Sequence, residues 1–208
     1  MSSLVRDGIR LESPLAGLAR HRGLLRYRET VVSERPFLAH VNVRGDPADP
    51  SFVSDASTVL GFELPRVANT VRESEGRLAC WMGPDEWLIV SMHDDERQIA
   101  RGLRQALRDR HASVVELGGG QTMLHLEGKQ AGELLARGCP LDLHERAFAT
   151  GQCAQSHIAK APALLIARDN AIDVVVRRSF ADYLWRWLMA IVDVVAPQVE
   201  AESRPQGE

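Results

Sequence analysis

Hydrophobic and polar residues change their spacing along the chain, and each spacing predicts a different element. Residues 38–44 alternate between apolar and polar side chains, which is typical of a half-buried strand. Residues 51–60 predict a short helix that ends at Gly61. Residues 77–82 and 86–92 then predict two strands joined by a tight Gly-Pro-Asp-Glu turn.

A second helix is predicted after this hairpin. Asp94 and Asp95 would place negative charge at its N-terminus, where the helix dipole favours it. Its apolar residues recur at helical spacing: Ile99, Leu103, Ala106 and Leu107. Residues 113–117 predict the next strand, which ends at the three glycines 118–120.

A similar cycle of elements follows the three glycines. Residues 121–127 predict a strand and residues 129–137 a short helix. Three further strands are predicted over 155–160, 163–168 and 171–176. Ser179 and Asp182 are spaced like a capping box and predict the start of a long helix that runs to about Val195.

The two cycles predict an α+β fold of two related lobes, each with an antiparallel sheet covered by helices. The predicted lobes span residues 35–117 and 121–196. Residues 1–34 are weakly periodic and predict an irregular N-terminal arm, and the polar residues 197–208 predict a disordered tail. Strands and helices are too irregularly interleaved for a doubly wound parallel sheet.

Composition and charge exclude several classes of partner. The net charge of −3 and the absence of a basic patch argue against nucleic acid binding. The most apolar stretch, 184–196, carries Arg186 and Asp193 and is shorter than the roughly 20 residues of a membrane span. No signal-peptide pattern is present, and three cysteines cannot all pair with one another. We therefore expect a soluble, cytoplasmic protein with reduced thiols.

Two cysteines and two histidines within twenty residues raise the question of a metal site. They are Cys139, His144, Cys153 and His157, spaced C-x4-H-x8-C-x3-H. Structural zinc sites usually contain two cysteines at short spacing, and that pair is missing here. Pro140 follows the predicted end of a helix, which favours a packed corner with buried thiols over a zinc site.

Other groups that could carry chemistry have structural explanations. The glycines 118–120 lead into a strand, whereas phosphate-binding loops lead into a helix. Ser156 lies beside His157 but outside any G-x-S-x-G elbow. The acidic pairs at 85–86 and 94–95 fall in a turn and at a helix start. The sequence thus predicts no catalytic, cofactor-binding or metal-binding residue on this chain.

The C-terminal helix is apolar over an unusually wide face. Its main apolar side is formed by Phe180, Leu184, Trp187, Leu188, Ile191 and Val195. Trp185 and Met189 extend this face around the helix. Two interpretations stay open: the helix is held between the two lobes, or Trp185 and Met189 contact another subunit, since interfaces are enriched in Trp and Met.

Six groups of residues, in order and at suitable spacing, carry a resemblance to a known family. They are 13–15 (SPL), 83–88 (GPDEWL), 114–117 (VVEL), 124–128 (LHLEG), 138–144 (GCPLDLH) with Phe148, and 177–180 (RRSF) with Trp187 and Leu188. Together they closely resemble the gamma subunit of heterotetrameric sarcosine oxidases. The resemblance covers residues from about 13 to 196.

The resemblance implies both a fold and an assembly. The fold is expected to be similar to the aminomethyltransferase and TrmE-like folate-binding fold. The assembly would contain alpha, beta and delta subunits and would oxidise sarcosine to glycine, with hydrogen peroxide and either formaldehyde or 5,10-methylenetetrahydrofolate as products. FAD, FMN and NAD are expected on alpha and beta, tetrahydrofolate on alpha and zinc on delta. The gamma subunit has no known catalytic residue, so the corner at Cys139 is expected to be structural.

Two alternatives remain at this point. One is a stand-alone folate-binding or aminomethyltransferase-like protein. Relatives of that kind often have Asp-x-Ser where this chain has Glu116-Leu117-Gly118, and some carry K-G-C-Y-x-G-Q where it has Arg-Gly-Cys139-Pro-Leu. The other is a gamma-type subunit of a complex that oxidises a different N-methyl amino acid.

Overall fold

A computed structural model describes residues 3–6, 8–18, 24–93 and 95–202. Within these residues the chain forms thirteen strands and four α-helices. The strands are β1 Ser3–Arg6, β2 Ile9–Glu12, β3 Leu24–Tyr27, β4 Thr30–Arg35, β5 Ala39–Arg44, β6 Val71–Ser74, β7 Arg77–Gly83, β8 Glu86–Ser91, β9 Ser113–Glu116, β10 Gln121–Glu127, β11 Cys153–Ile158, β12 Ala161–Arg168 and β13 Ala171–Arg177. The helices are α1 Pro50–Leu60, α2 Glu96–Ala106, α3 Ala131–Ala136 and α4 Arg178–Glu202.

Two antiparallel sheets contain most of the strands. A six-stranded sheet has the order β11-β12-β13-β10-β4-β3, and a five-stranded sheet has the order β6-β7-β8-β5-β9. Strands β1 and β2 form a separate two-stranded hairpin. The glycines 118–120 form a 3₁₀ turn that leads from β9 in one sheet to β10 in the other.

The two sheets pack face to face, and helices cover their outer faces. Alternation along β8 shows this arrangement: Trp87 and Ile89 belong to the core beneath α1 and α2, whereas Leu88 and Val90 point towards the other sheet. In the six-stranded sheet, Leu165 of β12 faces α3 and α4, and its neighbour Ile166 faces the five-stranded sheet. The order of layers is therefore helices, sheet, sheet, helices.

Hydrogen bonds join the two sheets along one side. Thr70 and Gln152 form an isolated antiparallel bridge. The amide of Val71 donates to the carbonyl of Gly151 at 2.8 Å, and the amide of Cys153 donates to the carbonyl of Asn69 at 2.9 Å. These bonds satisfy edge groups of β6 and β11 that would otherwise lack partners.

The predicted fold class is confirmed, and local signals explain several elements. Helix α1 begins after Asp49, whose side chain accepts from the amide of Ser51, and ends at Gly61 in the left-handed conformation. Asp95 caps α2 by accepting from the amide of Arg97 at 2.8 Å. The other aspartate predicted at this helix start, Asp94, lies outside the described residues. Strand β10 has the bounds that the sequence predicts.

Three expectations about the chain ends are wrong. The part of residues 1–34 that the structure describes contains strands rather than an irregular arm, and β3 and β4 belong to the six-stranded sheet. Helix α4 continues to Glu202, beyond the predicted end near Val195, so residues 197–202 are helical. The helix already includes Arg178, so Ser179 lies inside its first turn. The strand β6 was not predicted, and the predicted lobe boundaries stay a prediction.

Candidate functional site

The corner after α3 does not gather its cysteines and histidines into one site. Cys139 is buried in the core beneath α3 and α4, with its Sγ 3.8 Å from the Oγ of Ser156. His144 is exposed, and its Nδ1 accepts from the amide of Arg146 at 3.2 Å. Asp142 supports the same turn by accepting from the amide of His144 at 3.0 Å. The corner is thus held by local hydrogen bonds and by burial of Cys139.

The remaining two members of the Cys/His set point elsewhere. Cys153 is buried between the two sheets, and His157 is exposed on β11. In the part of the chain that the structure describes, no group of three or more His, Cys, Asp or Glu side chains could hold a metal ion. Absence of zinc from the protein itself stays a prediction for elemental analysis.

The other candidates from the sequence also make structural contacts. The amide of Gly118 donates to the carboxylate of Glu96, which ties the glycine turn to the start of α2. At the turn between β7 and β8, Asp85 and Glu86 each have a carboxylate oxygen 3.5 Å from the guanidinium group of Arg44, which ends β5. Asn42 also donates to Glu86 at 2.7 Å. The carboxylates of Glu96, Asp85 and Glu86 thus take part in hydrogen bonds and ion pairs within the fold.

Helix α4 lies on the outer face of the six-stranded sheet and not between the two sheets. This placement corrects the interpretation in which the helix is held between two lobes. Trp185 is only 5% exposed and belongs to the core beneath the helix, and Met189 is partly buried against that core. The helix is anchored by its own sheet, and whether Trp185 and Met189 also contact a partner stays a prediction.

A network of polar and charged side chains connects the two sheets. The Nδ1 of His125 lies 2.6 Å from one carboxylate oxygen of Asp173, whose side chain is fully buried. The second oxygen of Asp173 lies 3.7 Å from the Nε of Arg168. Arg168 in turn donates to Glu73 on β6 at 2.7 Å. Asp173 is therefore held by His125 through one oxygen and paired with Arg168 through the other, as a buried carboxylate requires.

His40 on β5 is buried without a hydrogen bond of good geometry. The residue is 1% exposed, and neither ring nitrogen has a partner. Burial lowers the pKa of His40 to about 4, and the nearby carbonyl of Leu38 opposes this shift. The ring is therefore neutral at physiological pH, and protonating it disfavours the folded state.

An open groove lies between α3, the corner and the turn that joins β12 to β13. Its volume is about 940 Å³. Its charged lining residues are Lys129, Glu133, Asp142, Glu145, Arg168 and Asp169. Glu133 pairs with Arg28 at 2.9 Å, and Arg168 serves the inter-sheet network. Because Asp142 also accepts from the amide of His144, the fold itself engages three of the groove's charged groups.

Comparison with known proteins decides the family. The model of the sarcosine oxidase gamma subunit family matches residues 44–193. A sarcosine oxidase subunit gamma from Corynebacterium sp. strain P-1 is 33% identical over 158 residues, covering 75% of this chain and 76% of the relative. One from Arthrobacter sp. is 30% identical over 172 residues, covering 81% and 83%. The chain belongs to the sarcosine oxidase gamma-subunit family.

Solved structures agree with this gamma-subunit assignment. A chain of the heterotetrameric sarcosine oxidase from Corynebacterium sp. U-96, solved with pyrrole 2-carboxylate, superposes with a TM-score of 0.80 at 26% identity. That match covers 88% of this chain and 95% of the other. The glycine cleavage system aminomethyltransferase T from Bartonella henselae matches with a TM-score of 0.60 at 15% identity, covering 90% of this chain and 53% of that one. The second match shows a shared fold alone.

The segments that carry the gamma-subunit resemblance occupy packing positions in this chain. Trp87 donates from its indole nitrogen to the carbonyl of Pro65 at 2.8 Å. Gly138 faces the ring of Trp187, and a Cβ added at Gly138 would lie 2.5 Å from that ring. His125 contributes the imidazole of the inter-sheet network. In these segments Trp87, Gly138 and His125 thus serve close packing and internal hydrogen bonding.

Sequence reasoning on this gamma-family chain missed the buried polar groups. Asp173 was treated only as part of a predicted strand, although a lone carboxylate in the apolar run Ala171–Arg177 could have signalled a buried ion pair. His40 was likewise treated as the polar side of a strand. None of the described helices is long and apolar enough to cross a membrane.

Proposed function

We propose that this chain is a non-catalytic structural subunit of a heterotetrameric sarcosine oxidase. The complex would oxidise sarcosine to glycine and release hydrogen peroxide, with formaldehyde or 5,10-methylenetetrahydrofolate as the one-carbon product. The observation that carries the proposal is the superposition, over most of both chains, on a chain of a heterotetrameric sarcosine oxidase. The family match over residues 44–193 supports it independently.

The contacts within the chain favour a structural role. Cys139 and Asp173, which could carry chemistry, are buried and engaged in the fold. His144 and His157 are exposed, and the Nδ1 of His144 accepts from the amide of Arg146 within its own turn. In line with the resemblance to sarcosine oxidase gamma subunits, we propose that FAD, FMN, NAD, tetrahydrofolate and zinc belong to partner subunits of the alpha, beta and delta types.

For the partner contact we retain helix α4 as the first region to test. Trp185 has little exposed surface, whereas Met189 is partly exposed and Tyr183 and Val194 are 38% and 65% exposed. Apolar side chains of this kind are frequent at subunit interfaces. We propose that Trp185 positions the helix on its sheet and that Met189 contributes to the contact, with Tyr183 and Val194 as exposed apolar residues on another face of the same helix.

The direct experiment compares the isolated chain with the complete assembly. The chain alone should be folded, colourless and without sarcosine-dependent oxygen uptake. Co-expression with its alpha, beta and delta partners should give a complex that contains this chain and oxidises sarcosine. Replacing sarcosine by other N-methyl amino acids in the same assay tests the substrate.

Two results would contradict the proposal. One is sarcosine oxidation by the isolated chain. The other is saturable tetrahydrofolate binding by the isolated chain together with one-carbon transfer, which would favour the stand-alone folate alternative. The fold shared with aminomethyltransferase T does not favour that alternative, because a likeness at 15% identity shows the fold alone.

A further inference from the structure

Two cysteines meet in the layer between the sheets. Cys80 on β7 is 0% exposed and Cys153 on β11 is 1% exposed, and both are free thiols. The Sγ of Cys153 lies 3.5 Å from the carbonyl oxygens of Trp81, the neighbour of Cys80, and of Thr70. Cys80 and Cys153 belong to the same buried cluster between the sheets, where β7 and β11 contact each other. The two thiols are therefore adjacent although they belong to different sheets.

Their position coincides with the hydrogen bonds that join the sheets. The amide of Cys153 donates to Asn69, and the next bond along joins Val71 to Gly151. Asn69 and Gly151 are themselves exposed, so Cys153 lies directly beneath surface residues. Local opening of this short bridge would admit a molecule of the size of water.

The surroundings give the two thiols different character. The hydrogen bond from Cys80 lowers the pKa of Cys153 against the opposing effect of burial. The same hydrogen bond raises the pKa of Cys80, and burial raises it further. Cys153 lies directly beneath the surface bridge whereas Cys80 is 0% exposed, so peroxide reaches Cys153 first, and the lowered pKa of Cys153 favours the same order: its thiolate attacks and Cys80 follows.

We propose that Cys80 and Cys153 form an oxidation site at which peroxide creates a disulfide between the two sheets. The thiolate of Cys153 attacks one oxygen of hydrogen peroxide, the O–O bond breaks, and Cys153 becomes a sulfenic acid while hydroxide leaves. The sulfur of Cys80 then attacks the sulfur of Cys153, which releases water and forms the S–S bond. In sum, two thiols and one hydrogen peroxide give one disulfide and two waters.

The proposal goes beyond the proposed function of the chain. A sarcosine oxidase would generate the oxidant within its own complex, but the chemistry requires only that peroxide is present. The new bond would link β7 to β11 and so restrict the unfolded chain between residues 80 and 153. Oxidation should therefore raise the urea concentration at the unfolding midpoint.

The test treats the purified full chain with hydrogen peroxide, keeps one portion folded for circular dichroism, blocks the remaining thiols of another portion with N-ethylmaleimide in urea and digests it without reduction. Mass spectrometry should find a peptide pair joining Cys80 to Cys153, lighter by two hydrogens than the two thiol peptides together, while Cys139 is alkylated. Near-ultraviolet circular dichroism of the same sample must keep its native signal. Reduction with dithiothreitol should restore both thiols and lower the urea midpoint again.

Variants separate the two steps and control for burial. In Cys80→Ala, dimedone should trap the sulfenic acid on Cys153, and in Cys153→Ala it should leave Cys80 unlabelled. The matched control Cys139→Ala removes the third buried thiol and should still form the link. The proposal is overturned if Cys80 and Cys153 are both recovered as alkylated thiols from peroxide-treated protein that kept its native signal. Oxidised methionines in the same sample would show that the peroxide had acted. The proposal is equally overturned if the link appears only after the native signal is lost, or if Cys139 pairs to the same extent.

Discussion

His40 should make the stability of this chain fall between neutral and mildly acidic pH. Its pKa is lowered from 6.5 to about 4 in the folded chain, because the ring is 1% exposed and burial disfavours its charged form. The unfolded chain therefore takes up the proton first as the pH falls. Stability present above pH 6.5 is lost progressively down to pH 4, since the unfolded state binds more protons over that range.

The size of this loss follows from the two pKa values of His40. A difference of one pKa unit corresponds to about 1.4 kcal/mol, so the complete loss is on the order of 3 kcal/mol. Between pH 7 and pH 5 the same two values predict a loss of about 2 kcal/mol. A change of this size is a large part of the stability of a typical domain, which is about 5–15 kcal/mol.

The assay compares the parent with His40→Leu, which keeps a side chain of similar size and removes the titrating group. Urea unfolding at pH 7 and pH 5 gives the free energy of unfolding for each protein. The parent should lose about 2 kcal/mol more than the variant over this range. The matched control is His111→Leu, because His111 is exposed and should leave the pH dependence unchanged. Equal pH dependence in the parent and His40→Leu would refute this account, as would an NMR titration of His40 in the folded chain near its usual pKa.

Four further changes test other parts of the fold and of the proposed contact. Gly138→Ala should destabilise the chain by about 1–3 kcal/mol in urea unfolding, because a Cβ there would lie 2.5 Å from the ring of Trp187. Asp173→Ala should lower the free energy of unfolding by about 1–3 kcal/mol, since it leaves His125 without its hydrogen-bond partner and Arg168 with Glu73 alone; an unchanged melting temperature would contradict the network. Trp185→Glu should unfold the isolated chain, as judged by circular dichroism, because Trp185 is core. Met189→Glu should leave the chain folded and weaken a pull-down of the partner subunits; unweakened capture would remove Met189 from the proposed contact.

Elements whose signals are local could be predicted from the sequence. Helix α1 was predictable because an aspartate cap and a left-handed glycine stand at its two ends. The strand β10 was predictable because glycines stand at both of its ends and it carries three apolar residues, Met123, Leu124 and Leu126. These features act within a few residues, so they do not depend on the rest of the fold.

Features that depend on distant partners could not be predicted in this way. Strand β4 contains only two strongly apolar residues, Val31 and Val32, and is stabilised by pairing with β10, far along the chain. His40 alternates with apolar neighbours as a surface residue would, but the six-stranded sheet covers that face. The pair of His125 and Asp173 depends on the register between β10 and β13. In each case the deciding contact is tertiary.

The same reasoning explains what could be predicted of the candidate site. Poor ligand spacing around Cys139 already argued for a corner, and the structure places Cys153 on the opposite side of the six-stranded sheet from Cys139. The sequence could not place Cys153 beside Cys80, because β7 and β11 belong to different sheets. The wide apolar face of α4 was visible from the sequence, but which side of the sheet it covers was not.

Native mass spectrometry of the assembly purified through a tag on this chain tests the central claim most directly. The account predicts an intact four-subunit complex that contains one copy of this chain, retains flavin on the other subunits and oxidises sarcosine. A tagged chain recovered without partners, while sarcosine oxidase activity remains in a fraction that lacks it, would contradict the account.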